Sequence, residues 1–215
     1  MLKIDCINLD RRADRWAECQ ANYEAMGLSP AAVRRFSAVA DADFGALGCA
    51  KSHVAVLSHF LTHETAPYCL VLEDDFDLIR PFSELVGDFN RLATERVDWD
   101  ALLLVGTSVI AGPRQEPGIA RVIESQCTAG YLVGRRYAPT LLACFAESIP
   151  LLENLRHLQP RHLAVSRLAI DVAWKRLQRR DRWYIFTPSM GRQRPSFSDI
   201  EQRVVNYDAE TYAMA

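Results

Sequence analysis

The sequence lacks the features that would assign it to a membrane-spanning, secreted or repetitive class of protein. No stretch approaches the about 18 apolar residues that a membrane-spanning helix needs. The N-terminus, MLKIDCINLDRR, has an acid at position 5 and no long apolar core, so it is not typical of a signal peptide. Internal repeats and low-complexity tracts are also absent. We therefore expect a cytoplasmic protein, with peripheral contact at the inner face of a membrane left open.

A large excess of charge of either sign is absent as well. The net charge is −2, from 25 basic and 27 acidic residues, so nothing indicates bulk binding to nucleic acid. The cysteines include no CxxC pair and no cysteine–histidine spacing typical of a zinc site. Most of them lie among apolar residues, which is typical of small buried side chains in a reducing compartment. They are Cys6, Cys19, Cys49, Cys69, Cys127 and Cys144.

What the sequence does contain is the composition of an ordinary globular domain. Of its 215 residues, 49% are hydrophobic and 24% are charged, which suits one substantial core. We expect a single domain over residues 1–200 and a C-terminal tail over 201–215. In the first half, short apolar runs alternate with stretches of helical period. They predict strands at 2–9, 31–39, 69–72 and 101–106, and helices at 16–26, 46–63 and 81–92.

The second half has a different pattern. Two strands close in sequence, at 119–126 and 129–134, are expected to pair antiparallel with each other. Glycines and prolines predict a loop over 107–118, and the lack of periodicity predicts loop from residue 189 onward. Further elements are expected as helices at 137–147 and 160–178 and a strand at 182–188. The whole pattern predicts an α/β fold with a mainly parallel central sheet and a mixed C-terminal part.

The most informative segment is YCLVLEDDFD, where a buried strand runs directly into Glu73, Asp74, Asp75 and Asp77. Open α/β sheets bind ligands at this end of their strands. Crowded carboxylates repel one another unless a cation lies between them, and divalent cations take oxygen ligands. In an extended segment, Glu73, Asp75 and Asp77 share a face and predict a metal site, whereas Asp74 points away, toward a ribose hydroxyl or a basic side chain. A solvated acidic turn is the alternative.

A second polar group follows the first strand, in INLDRRADR. Asn8, Asp10, Arg11 and Arg15 stand where a nucleotide would lie in such a fold. Arginine forks suit phosphates, and Asn or Asp suits a base edge or a ribose. The alternative is that the acids cap the following helix and that the arginines are solvated.

The segment GALGCAKSH has some likeness to a phosphate-binding P-loop. A P-loop needs glycine directly before the lysine, and here Ala50 precedes Lys51, so the spacing fails. A helix N-terminus beside the site is the plainer account, since its free N–H groups favour anions. Lys51, Ser52 and His53 would then lie in its first turns. A P-loop-like nucleotide hydrolase stays the alternative function, and a satisfied structural histidine the alternative role of His53.

Asp171 lies in the apolar stretch LAIDVAW, where a carboxylate must be paired, hydrogen-bonded or open to a cleft. A raised pKa in such a place would suit a general base. An N-cap, or a salt bridge to Arg167 or Lys175, is the alternative. The basic run at 175–182 is either a solvated helix face or a surface for anionic lipid or an anionic acceptor.

Seven segments, in order along the chain, resemble the glycosyltransferase family 25 enzymes of lipopolysaccharide and collagen glycosylation. They are INLDRRADRW, FSAVADADFGALGCAKSHVAVL, LVLEDDFDL, DALLLVGTS, TAGYLVGRRYAPTLL, AIDVAW and SFSDIE. The resemblance implies a GT-A-type nucleotide-sugar-binding fold and transfer of a hexose, often galactose from UDP-galactose, with inversion. The implied partners are a UDP-sugar donor and a glycan or lipid-linked acceptor. A non-catalytic nucleotide-sugar-binding relative is a further alternative.

The resemblance also implies a metal, usually Mn²⁺ and otherwise Mg²⁺, that bridges the donor diphosphate and the acidic motif. This motif comprises Glu73, Asp74 and Asp75 and stops there, so Asp75 is the expected direct ligand and Asp77 lies outside it. The closing S-D-I motif matches Ser198 and Asp199, with Asp199 as a further metal ligand or a second candidate base.

The remaining correspondences concern the donor and the acceptor. Asp171 matches an acid often found late in these chains and is the expected general base. Positions that match the first-strand and GCxxSH motifs are Asn8, Asp10, Arg11, Ser52 and His53.

Overall fold

The computed structural model describes residues 2–112, 117–157, 165 and 167–195, and the backbone of residues 196–198 and 203–205. Its strands are β1 (Leu2–Asn8), β2 (Arg34–Ser37), β3 (Tyr68–Glu73), β4 (Phe76–Leu78), β5 (Ala101–Leu103), β6 (Thr107–Ala111), β7 (Ile119–Gln126), β8 (Gly130–Gly134), β9 (Trp183–Phe186), β10 (Gly191–Gln193), β11 (Ser196–Ser198) and β12 (Arg203–Val205). Its α-helices are α1 (Ala13–Ala25), α2 (Gly45–His63), α3 (Phe82–Thr94), α4 (Ala138–Leu155), α5 (Ile170–Ala173) and α6 (Lys175–Arg180).

Eight strands form one sheet in the order β2-β1-β3-β8-β5-β9-β7-β6. β1 pairs parallel with β2 and β3, and β5 pairs parallel with β9. β8 runs antiparallel between β3 and β5, and β7 runs antiparallel to both β6 and β9. The predicted α/β fold class is therefore confirmed, with parallel strands in the N-terminal half and a mixed C-terminal part.

Helices cover both faces of the sheet, and alternate residues of β3 belong to different cores. Cys69 and Val71 pack in the core that contains α2 and α4, whereas Leu70 and Leu72 pack in the core that contains α1 and α3. This two-residue alternation turns Glu73 toward α2 and Asp74 toward α1. Among the described residues, no helix is long and apolar enough to cross a membrane.

The helices predicted in the first half are confirmed. The apolar stripe of α2 is buried, with Leu47, Ala50 and Leu57 each at 0% exposure. α1 is followed by Gly27 at φ +77°, a conformation that glycine adopts without steric cost. These stripes are properties of the local sequence, which is why the helical period could predict them.

Two predictions for the second half are wrong. Residues 107–111 form β6 rather than a loop, at the edge of the sheet. The strands at 119–126 and 130–134 do not pair with each other: β8 is buried almost throughout and lies in the centre, whereas β7 is partly exposed and pairs with β9 and β6. Sequence proximity favoured a hairpin, but the apolar character of β8 decided its central place.

The chain after residue 189 is also more ordered than the sequence predicts. Gly191–Gln193 forms β10, which pairs antiparallel with β4. Gly191 permits this contact, since a Cβ at this position would lie 2.2 Å from the ring of Phe76. Asp199, part of the predicted helix at 160–178 and most of the predicted tail lie outside the described residues.

Candidate active site

A cavity of about 150 Å³ lies at the carboxyl ends of β1 and β3. Its walls come from the residues after β1, the loop before α2, the first turns of α2, the acidic turn after β3 and the end of β10. This is the edge at which α/β sheets bind ligands. The predicted site residues that line it are Arg11, Arg15, Ser52, His53, Glu73, Asp74 and Asp75.

Glu73 ends β3 with its carboxylate turned toward α2. Its Oε1 accepts a hydrogen bond from Thr128 Oγ1 at 2.6 Å and lies 3.1 Å from Nε2 of His53. Nδ1 of His53 lies 3.0 Å from the hydroxyl of Tyr131. Burial raises the pKa of Glu73, but the contacts with His53 and Thr128 outweigh it, so the pKa is lowered overall. Glu73 is therefore an ionised carboxylate at the cavity wall, and its oxygens can serve as metal ligands.

Asp75 is less well satisfied by protein contacts. Its Oδ2 accepts a hydrogen bond from Gln193 Nε2 at 3.1 Å, whereas Oδ1 is buried without a hydrogen-bond partner among the described residues. Burial, together with the nearby Glu73 carboxylate, raises the pKa of Asp75 to about 7. A buried acceptor without a partner costs free energy, and a cation beside Glu73 and Asp75 would satisfy it. The two carboxylates therefore fit a divalent cation.

Asp74 points to the opposite face and contacts a basic side chain. Its Oδ1 accepts from Arg15 NH1 at 2.8 Å and its Oδ2 from Asn8 Nδ2 at 2.6 Å. Asn8 also donates to the carbonyl of Arg12 and accepts from Arg35 Nε at 2.7 Å. This buried network fastens the acidic turn to β1 and α1, so Asn8, Arg15 and Asp74 position the site.

Asp77 is not brought to the cavity with the other acids. It is 8% exposed, and its Oδ1 accepts two hydrogen bonds from Arg194, at 2.8 and 3.1 Å. Because a turn at Asp74 and Asp75 separates β3 from β4, the two-residue period does not continue to Asp77. Its predicted metal role stays a prediction, and the described contacts favour an ion pair.

The first turns of α2 form one wall of the cavity. Ser52 Oγ donates to the carbonyl of Gly48 at 2.7 Å and accepts from the N–H of Val39 at 2.8 Å, which ties the preceding loop to the helix. A Cβ on Gly48 would lie 2.8 Å from the Val39 carbonyl, so glycine permits this close approach. The N-terminus of a helix of 19 residues at a cavity favours anions.

Of three further predicted residues, Arg11 lines the cavity, whereas Asp10 and Lys51 do not. Arg11 is exposed and lines it, at a place where a guanidinium suits an anion. Asp10 is exposed and accepts a hydrogen bond from Ser37 Oγ at 2.9 Å. Lys51 does not line the cavity, and its Nζ lies 2.9 Å from a carboxylate oxygen of Glu153 in α4.

Asp171 belongs to the electrostatic surroundings of the acidic turn. Its Oδ2 accepts a hydrogen bond from the N–H of Cys127 at 3.1 Å. Burial raises its pKa, the hydrogen bond from Cys127 opposes the rise, and the charge of Glu73 adds to it. Asp171 does not line the cavity, but a carboxyl group with a raised pKa that feels the charge of Glu73 has the properties of a general base.

Several residues of the site were missed by sequence reasoning: Cys49, Thr128, Tyr131 and Gln193. Thr128 and Tyr131 reach His53 and Glu73 only because β8 lies next to β3. Gln193 reaches Asp75 because β10 pairs with β4. These are long-range pairings, so no local period could have indicated them.

The basic run at 175–182 contacts acids. Arg176 contacts Glu147, and Arg180 contacts Asp181. Further ion pairs join Lys175 and Arg179 to Glu124, and Arg182 to Asp98 and Asp100. These contacts favour the interpretation as a solvated, internally paired surface.

No protein-family model and no curated protein sequence matches this chain. Among solved structures it is similar to A197 from STIV, with 14% identity, a TM-score of 0.47 and coverage of 96% of this chain and 95% of that chain. It is also similar to a glycosyltransferase involved in the glycosylation of the major capsid of PBCV-1, with 9% identity, a TM-score of 0.38 and coverage of 94% and 96%.

A third similar structure is mannose-1-phosphate geranyltransferase from Thermus thermophilus, with 11% identity and a TM-score of 0.42. That match covers 85% of this chain and 58% of the other, so this chain spans little more than half of that protein. All three TM-scores lie below 0.5.

Proposed function

We propose that the chain is a metal-dependent glycosyltransferase that moves a hexose from a UDP-sugar to a hydroxyl group of an acceptor, with inversion. The observation that carries the proposal is the pair of carboxylates at the end of β3, Glu73 and Asp75, with one buried oxygen of Asp75 lacking a partner among the described residues. The pair fits a divalent cation, while Arg11 and the N-terminus of α2 favour a diphosphate beside it.

The resemblance to glycosyltransferase family 25 supports the details of the proposal. We propose a GT-A-type catalytic domain over residues 1–200, galactose as the sugar, and Mn²⁺ as the cation, with Mg²⁺ as its substitute. The acceptor is a glycan or a lipid-linked glycan of lipopolysaccharide or surface-polysaccharide assembly, used by a cytoplasmic enzyme. Peripheral membrane contact would have to involve a surface other than the run at 175–182, whose basic side chains contact acids.

In this proposal some residues of the chain act on the donor and another acts on the acceptor. When bound, the cation supplies Lewis-acid stabilisation of the diphosphate. Arg11 and the N-terminus of α2 hold phosphate oxygens while the bond from the anomeric carbon to the diphosphate oxygen breaks, and UDP keeps the electron pair. Asp171 takes the proton of the acceptor hydroxyl, whose oxygen bonds to the anomeric carbon from the opposite face.

A P-loop-like nucleotide hydrolase is less well supported. Its lysine would have to reach a phosphate, but Lys51 contacts Glu153 at 2.9 Å and is not among the residues that line the cavity. A non-catalytic relative would keep the same donor contacts and differ only in turnover, so an assay has to separate it from an enzyme.

The test of the proposal is the melting temperature with nucleotides and nucleotide sugars, measured with and without Mn²⁺. UDP and a UDP-sugar should raise the melting temperature with Mn²⁺ and not with a chelator. A ligand at 100 times its Kd adds about 2.7 kcal/mol, or roughly 5–10 °C for a chain of this size. If no UDP compound stabilises the protein, the proposal is wrong; stabilisation by ATP or GTP that depends on Lys51 would support the hydrolase.

Two matched variants locate the cation. Asp75→Asn removes one negative charge while keeping the side-chain shape, and we expect it to abolish the Mn²⁺-dependent shift. Asp77→Asn makes the same change at an acid that contacts Arg194, so it should lower the melting temperature of the free protein and leave the shift intact. A shift that survives in Asp75→Asn would contradict the assignment. Donor binding without UDP release would indicate the non-catalytic relative.

A further inference from the structure

The cavity contains a second set of metal-ligating side chains that the acidic motif does not explain. The Sγ of Cys49, a ring nitrogen of His53 and a carboxylate oxygen of Glu73 lie within 4.8 Å of one another. Cys49 and His53 are four residues apart on α2 and therefore lie on one face of the helix, where Glu73 meets them from β3. Sulfur, nitrogen and oxygen together differ from the all-oxygen set that suits Mg²⁺ and Mn²⁺.

We propose that Cys49, His53 and Glu73 form a binding site for a borderline-soft divalent cation of the Zn²⁺ class. All three residues line the cavity. Three protein ligands with a further position open to a cavity are typical of catalytic rather than structural zinc sites. This site would bind a cation with ligands from the protein alone, and it would share Glu73 with the proposed transferase site.

The distance between two of the three ligand atoms is close to that of a tetrahedral site. Zinc–ligand bonds of about 2.0–2.3 Å place neighbouring ligand atoms about 3.3–3.6 Å apart. Nε2 of His53 and Oε1 of Glu73 are 3.1 Å apart, so a cation between them requires only a small side-chain movement. The sulfur of Cys49 lies within 4.8 Å of both of these atoms, from where it would have to move closer to become the third ligand.

The neighbouring side chains hold two of these ligands in place. Nδ1 of His53 lies 3.0 Å from the hydroxyl of Tyr131, and Glu73 accepts a hydrogen bond from Thr128 at 2.6 Å. The imidazole also packs against the rings of Tyr131 and Phe145, with centroid distances of 5.7 and 5.8 Å. Such outer contacts orient ligands in metal sites, so His53 and Glu73 are pre-organised.

The buried oxygen of Asp75, which also supports the proposed transferase site, favours a cation in this cavity. Oδ1 of Asp75 is buried without a hydrogen-bond partner among the described residues, and its carboxylate interacts electrostatically with that of Glu73. A cation on Cys49, His53 and Glu73 would offset this negative charge. Since it would occupy Glu73, Zn²⁺ is expected to compete with Mn²⁺ and to weaken Mn²⁺-dependent binding of UDP.

The experiment is a titration of the reduced protein with Co²⁺, followed by absorption spectroscopy. A thiolate ligand produces a sulfur-to-cobalt charge-transfer band in the near ultraviolet, and tetrahedral geometry produces strong visible bands. We expect both at stoichiometric Co²⁺, displacement by stoichiometric Zn²⁺, and no displacement by a large excess of Mg²⁺. The absence of a thiolate band in the unsubstituted protein would overturn the inference without any need for a variant.

Two cysteine variants identify the sulfur. Cys49→Ser should lose the charge-transfer band, whereas Cys127→Ser should keep it, because the described contact of the Cys127 thiol is with Gln193. Far-ultraviolet circular dichroism establishes that both are folded. A band that is lost in Cys127→Ser and kept in Cys49→Ser would overturn the assignment.

Different results would overturn the zinc-class site and the proposed function. A missing cobalt–thiolate band with an intact Mn²⁺-dependent UDP shift overturns only the inference. A clear band in a protein that no UDP compound stabilises overturns only the proposed function.

Discussion

At the scale of single residues, neighbouring acids of one motif have different roles because different groups face them. Asp74 contacts Arg15 and Asp77 contacts Arg194, so each carboxylate is neutralised by a guanidinium. Asp75 instead lies beside Glu73 and one amide, and its pKa is raised to about 7. The carboxylate that lacks a cationic partner among the described side chains is therefore the one best suited to a metal ion.

The proposed general base is also tested at this scale, with Asp171→Asn. Asparagine can still accept the hydrogen bond from Cys127 but cannot take a proton from an acceptor. We expect the rate of UDP release by transfer or donor hydrolysis to fall about 10²–10⁴-fold. The Mn²⁺-dependent melting shift with UDP should stay unchanged. Loss of that shift in the variant would show that Asp171 holds the donor instead.

At the scale of elements, the helices follow from the local sequence, whereas the strand pairings depend on segments far apart in the chain. The stripes of α1, α2 and α3 repeat within a few residues, and these helices form where the period predicts them. The pairing of β8 with β3 and β5, and of β10 with β4, joins segments far apart in the chain. Both pairings carry residues into the site, so the part of the site that depends on them was beyond sequence reasoning.

The pairing of β10 with β4 is tested by Gly191→Ala. A Cβ at Gly191 would lie 2.2 Å from the ring of Phe76 and 2.7 Å from the carbonyl of Asp77. Such overpacking should cost about 1–3 kcal/mol of unfolding free energy in a denaturant titration. It should also weaken Mn²⁺-dependent binding of UDP, because β10 carries Gln193 to Asp75.

The matched control for that substitution is Gly87→Ala on the exposed side of α3. Its added Cβ would meet no atom within 4 Å, and alanine favours a helix interior over glycine by about 1 kcal/mol. Its stability should be unchanged or higher. Equal stability of the two variants would mean that β10 does not pack on Phe76 as described.

At the scale of the whole molecule, the site lies where the layers on the two faces of the sheet meet at the end of β3. Glu73 contacts α2 and the residues just before β8, whereas Asp74 contacts α1 and β1. The last residue of β3 and the first residue of the following turn thus connect two hydrophobic cores to one cavity. Stability of the α1 layer and geometry of the proposed metal site are expected to be coupled through this turn.

This coupling is tested by Asp74→Ala. The substitution leaves the buried guanidinium of Arg15 without its carboxylate, which should cost about 3–5 kcal/mol of unfolding free energy. Asp14→Ala is the control, since it removes one carboxylate from an exposed pair with Arg12 and should leave the denaturation midpoint nearly unchanged. Similar midpoints for the two variants would refute a structural role for the buried network.

The sequence by itself determined the α/β class, the helices of the first half and the position of an acidic motif at the end of a buried strand. These follow from local periodicity and from the rule that ligands bind at the carboxyl ends of strands. Only the tertiary structure decided which acids contact a guanidinium, as Asp74 and Asp77 do, and which contact an amide, as Asp75 does. It also placed Cys49 and His53 against Glu73, although their spacing is not typical of a zinc site. The physical reason is that the partner of each buried polar group depends on strand order and register, which are set by contacts between distant segments.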